Sequence, residues 1–74
     1  MIPDKSNEAW KKIIQGHIDH KFSSFSLQMK VNFLQRGYKN GLLKMDEAID
    51  DLYQLCEKFE KIYADDINKI FNIK

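Results

Sequence analysis

From Met45 onward the apolar residues keep a rhythm that admits one kind of backbone. Met45, Ile49, Leu52, Cys56, Phe59 and Tyr63 alternate steps of four and three, and Ile70 returns to the same register. That spacing lines one face of an α-helix and, sustained over this length, is heptad-like. Asp46, Glu47, Asp50 and Asp51 crowd the start of the run, where the helix dipole favours negative charge. Glu57 with Lys61 and Asp65 with Lys69 are acid-before-base pairs four residues apart. Asp66 breaks the pattern, since it occupies the seam position between Tyr63 and Ile70. Either the helix runs on from residue 46 to residue 72, or Asp65 caps a separate final helix. The spacing favours the continuous form.

Length gives that choice a consequence. A continuous helix would span about 40 Å, whereas a compact chain of this size is about 30 Å across. The helix would overhang its own domain and offer Phe59, Tyr63, Ile67, Ile70 and Phe71 to a partner. These five are the candidate protein-interface residues, and a homodimer that buries the overhang is the expected assembly.

Two shorter helices are expected upstream. The first starts after Ser6 as N-cap, with Glu8 in its first turn, and lines up Trp10, Ile13, Ile14, His17 and Ile18. Gly16 lies inside that pattern, either admitting a close neighbour or marking a fraying end. The second starts at Ser23, with Phe22 before the cap and Leu27 four positions in, the arrangement of a hydrophobic staple. Leu27, Val31, Leu34 and Tyr38 form its buried stripe, Phe25, Met29 and Phe33 widen it, and Asn40-Gly41 ends it. The fold class expected is therefore all-α: one domain over residues 1–74, a small three-helix bundle or helical hairpin with a long C-terminal amphipathic helix, dimeric.

Composition narrows the function classes. At 43% hydrophobic residues the chain has enough apolar side chain to order itself. At 74 residues its core is thin, which favours association. A lone cysteine excludes an intrachain disulfide, and the opening residues lack a signal-like pattern, so a reduced, cytoplasmic setting is expected. Apolar runs never exceed three residues, too short to span a membrane. The net charge of +1 hides two opposed halves: residues 1–44 carry +5 and residues 45–74 carry −4. Such halves attract each other or, alternatively, the basic half faces an acidic partner.

No residue pattern points to catalysis, a metal or a cofactor. His17 and His20 are three apart with Asp19 between them, but zinc needs three or four ligands and no further set is at hand. Cys56 sits on the apolar seam, where burial opposes the thiolate a nucleophile needs. Asp50-Asp51 and Asp65-Asp66 are chain neighbours that point about 100° apart on a helix, so they do not share a site. Phosphate loops and nucleophile elbows are missing. The expected function is a non-catalytic protein–protein interaction module, such as an adaptor, an inhibitor or immunity-type binder, or an assembly subunit, that also self-associates. The alternative is a nucleic-acid-binding protein using the basic half and Gln28, Lys30, Asn32, Gln35, Arg36 and Lys39 on the second helix, since amides read base edges and cations hold phosphates. A membrane-surface reading of Trp10, Ile13 and Ile14 beside Lys11 and Lys12 is weaker, because the core needs those apolar residues.

Overall fold

A computed structural model describes residues 2–18 and 21–71. Its elements, in chain order, are α1 (Glu8–Ile14), α2 (Phe25–Lys39), α3 (Met45–Phe59) and α4 (Ala64–Phe71), with no strand among the described residues. The first three helices pack mutually, each against the other two.

Local chemistry sets the first two helix starts, and each cap lies one residue beyond the serine expected to provide it. Asn7, not Ser6, caps α1: its side-chain oxygen accepts the Ala9 N–H at 2.9 Å. Ser6 instead donates both its N–H and its hydroxyl to the Asp4 carboxylate, which holds that carboxyl below its ordinary range. Ser24, not Ser23, caps α2, accepting the Leu27 N–H at 3.3 Å. Phe22 then lies two residues before the cap and its N–H donates to Gln28 Oε1 at 2.9 Å, so the expected staple register is not the one adopted. At the start of α3 the Glu47 carboxylate accepts the Lys44 N–H at 3.0 Å.

Two helices stop on glycine. Gly16 (φ 79°) and Gly41 (φ 76°) sit in the left-handed region, where a Cβ would be strained. At each, the glycine N–H and the next N–H turn back onto the last turn: Gly16 to Ile13 O, His17 to Lys12 O, Gly41 to Tyr38 O and Leu42 to Gly37 O, the paired bonds of a Schellman stop. The first helix therefore ends at Ile14, and His17 lies beyond it, exposed. The helix face expected to carry His17 and His20 thus does not extend to His17, while Asp19 and His20 lie outside the described residues.

The core draws on all four helices. Trp10, Ile13 and Ile14 from α1, Val31 and Leu34 from α2, Ala48, Ile49, Leu52 and Cys56 from α3, and Ile67 from α4 form one buried cluster. Trp10 is at its centre, 0% exposed, with Tyr53 and Phe71 rings tilted against it at centroid distances of 5.4 and 4.6 Å. Its indole N–H donates to the Asp4 carbonyl at 2.7 Å, so its one polar atom is satisfied. Burial of Trp10, Ile13 and Ile14 leaves them no face for a membrane surface. No helix among the described residues is long and apolar enough to cross a membrane.

The continuous C-terminal helix is not what the chain adopts. The helix stops at Phe59, residues 60–63 turn, and a separate α4 begins at Ala64, one residue before the Asp65 expected to cap it. No glycine or proline marks the break; its cause is tertiary. Turning back places Ile67 in the core and Phe71 on Trp10. It also brings Asp66, only 8% exposed, to Ser23, whose N–H and hydroxyl donate to the two carboxylate oxygens at 2.8 and 2.9 Å. The residue that spoils the heptad is thus the one that ties α4 to the entry of α2. The molecule measures 33 × 26 × 20 Å and no helix among the described residues overhangs it. Lys61 falls in the turn, so Glu57 and Lys61 do not share a helix. A single described ion pair, Lys5 to Asp50 at 2.9 Å, joins the basic half to the acidic one; it is half exposed and contributes little.

Candidate binding surface

Helix α2 has apolar residues on two sides. Leu27, Val31 and Leu34 face inward and are at most 8% exposed. Phe25, Met29 and Phe33 recur every four residues on the roughly opposite side and stand 77%, 51% and 72% exposed. They do not widen the buried stripe, as expected from the sequence; they form a second one facing solvent. The physical reason is the layer count. Helices α1 and α3 supply a core along one side of α2, and no described element covers the other. Leaving a Phe outside forgoes about 1.5–3 kcal/mol of burial, so two on one short helix are a specific feature of this chain. The four-residue repeat of Phe25, Met29 and Phe33, set against the Leu27–Val31–Leu34 repeat, is the signal that reveals two faces; period alone does not say which faces in.

The helix that bears the outer stripe carries charge of one sign. From Phe25 to Lys39 the helix carries Lys30, Arg36 and Lys39 and no acid, and none of these cations belongs to a described ion pair. Beside its C-terminal half lies an open groove of about 820 Å³, running from Ile14 and His17 at the end of α1 to Asn32, Arg36 and Lys39 on α2. Gln35 closes one wall, its amide donating to the Ile13 carbonyl at 2.7 Å. The groove lies on the flank of α2 toward α1, and of its lining residues Arg36, three positions after Phe33, is the one nearest the aromatic stripe.

The residues picked out from the sequence are placed as follows. Of the five candidates on the C-terminal segment, Ile67 is wholly buried, while Phe59, Ile70 and Phe71 are half-buried against the core. Tyr63 is half-buried in the turn, its ring 5.6 Å from Phe59. Of the six on α2, Gln28 and Gln35 are engaged internally: Gln28 accepts the Phe22 N–H and donates to Asn32 Oδ1 at 3.1 Å, and Gln35 holds Ile13. Lys30, Asn32, Arg36 and Lys39 stand exposed.

Cys56 is 1% exposed, and burial, with Glu60 adding to it, pushes its thiol up to about 12. No group of three or more His, Cys, Asp or Glu suited to a metal occurs among the described residues. No family model, curated protein or solved structure matches the chain.

Proposed function

We propose that this chain is a non-catalytic protein-binding module, of the adaptor, inhibitor or assembly-subunit kind, that makes contact through the outer face of α2. The observation that carries the reading is the solvent-facing stripe Phe25, Met29 and Phe33 on a helix whose core side is already filled. Aromatic side chains at helical spacing are effective anchors, because each brings large apolar area at little loss of rotamer freedom. The expected interface on Phe59, Tyr63, Ile67, Ile70 and Phe71 rested on an overhang, and the turn at residues 60–63 removes that motive. The homodimer built on it loses the same support. A nucleic-acid reading retains Lys30, Arg36 and Lys39 for phosphates but has Gln28 and Gln35 committed internally, and gives the two phenylalanines no role.

The test is site-specific photo-crosslinking in producing cells, with the crosslinking side chain at position 33 and, as control, at position 51 on the outer side of α3. The reading expects a protease-sensitive, nuclease-resistant adduct at 33 that is missing at 51. Adducts that are identical at both positions, or that vanish on nuclease treatment, would contradict it.

A further inference from the structure

We infer that the occupant of the α2 outer face is an acidic amphipathic helix of another protein, an inference that rests on the contact reading above and names its partner. Charge complementarity is the first ground. The stripe lies on a helix with three cations and no acid, so apolar anchors flanked by carboxylates match it and anchors flanked by lysines do not. Shape is the second. Phe25 to Phe33 covers about 12 Å along the axis, two turns, which suits a helix presenting apolar residues at i, i+4 and i+7. Beyond Phe33, Arg36 and Lys39 border an open groove on the α1 flank of α2, where they can meet a Glu or Asp projecting from a helix laid along the stripe.

The same observations weigh against other occupants. A second copy docking α2 on α2 would set like charges together. A second copy docking its α3 would bring Asp46, Glu47, Asp50 and Asp51, but among the described residues the large exposed apolar ones outside α2 are Leu42 and Ile62, in the loops before and after α3. No apolar stripe accompanies those acids. An anionic bilayer would take the stripe, yet three cations at about 1 kcal/mol each give a weak hold, and a flat surface leaves the groove unfilled.

The experiment titrates the isotope-labelled full chain, followed by amide chemical shifts, with a synthetic amphipathic peptide bearing Leu anchors flanked by Glu. The comparison probes are the same peptide with Lys for Glu, and vesicles of phosphatidylcholine with phosphatidylserine. Expected is saturable binding of the Glu peptide with shifts confined to α2 and the end of α1. It weakens with salt and falls about tenfold or more in Phe25→Ser with Phe33→Ser. Arg36→Glu weakens it too, and the Lys peptide does not bind. If the double variant fails to fold by circular dichroism, Met29→Gln with Arg36→Glu replaces it. Equal binding of both peptides, or none of the Glu peptide, overturns the inference while the crosslink at 33 still stands for protein contact. Concentration-dependent α2 shifts without peptide assign a second copy, which overturns the acidic-helix partner alone. Vesicle binding that displaces the peptide overturns both.

Discussion

Helix α4 ends in Phe71, whose ring lies 4.6 Å from Trp10, and it carries Asp66, an acid that is only 8% exposed. Helix α2 carries Phe25 and Phe33, which stand 77% and 72% exposed. The polar residue is inside and the aromatic ones are outside, and the difference lies in their partners. Asp66 receives two hydrogen bonds from Ser23, so its burial leaves little of the carboxylate unsatisfied. The α2 phenylalanines face a side where the chain supplies no further layer. Burial in a domain this small follows the number of neighbouring elements, not the hydrophobicity of a residue alone.

The largest effect is expected where the contrast is anchored, at Trp10. Trp10→Ala removes the ring that Phe71 and Tyr53 pack on and costs about 3–5 kcal/mol. A single core of this size supplies only about 3–5 kcal/mol. Thermal melting by circular dichroism should lose its cooperative transition; a variant that still melts sharply near the parent temperature would place the centre of the core elsewhere.

Next comes the tie between α4 and α2. Asp66→Ala removes both acceptors of the exposed Ser23 and costs about 1–2 kcal/mol. The melting temperature should fall roughly 4–8 °C per kcal/mol, and α4 amides should exchange faster with solvent than those of α3. Asp66→Asn, which keeps an acceptor oxygen, should recover part of the loss. Equal exchange in α3 and α4 after Asp66→Ala would mean that the carboxylate does not hold α4 in place.

These two sites also mark where sequence periodicity stops being informative. The acidic start of α3, the Leu27–Val31–Leu34 stripe and the stop at Gly41 are all local, and each is legible from spacing and residue type. The break at residues 60–63 is only half legible. Asp66 in the seam position allows a separate final helix, but no breaker residue marks the stop. The contacts that go with it, Ile67 in the core and Asp66 on a serine 43 positions away, are not local. The same contact occupies Ser23, and Ser24 caps α2 in its place. The outer stripe was visible as a pattern, but a helix with two apolar sides does not declare which one the fold covers.

A smaller effect reports on the buried side of the bundle. The Cys56 thiol, ordinarily ionising near 9.0, is pushed up to about 12 by burial. The unfolded chain therefore releases this proton at a lower pH than the folded one. The stability is full below about pH 9 and declines as the pH rises from there toward 12, by roughly 1 kcal/mol at pH 10. Measured as the difference between the parent and Cys56→Ala in urea unfolding, the alkaline decline should be steeper in the parent. Parallel curves would show the thiol to be solvated.

The smallest effect bears on the central claim, that the outer face of α2 is not needed by the fold. Urea unfolding of Phe25→Ser with Phe33→Ser should give a stability within about 0.5 kcal/mol of the parent, while Leu27→Ala on the inner face of the same helix costs about 2–5 kcal/mol. A double variant as damaged as Leu27→Ala would show those phenylalanines to be structural, and the α2 surface would cease to be a binding face.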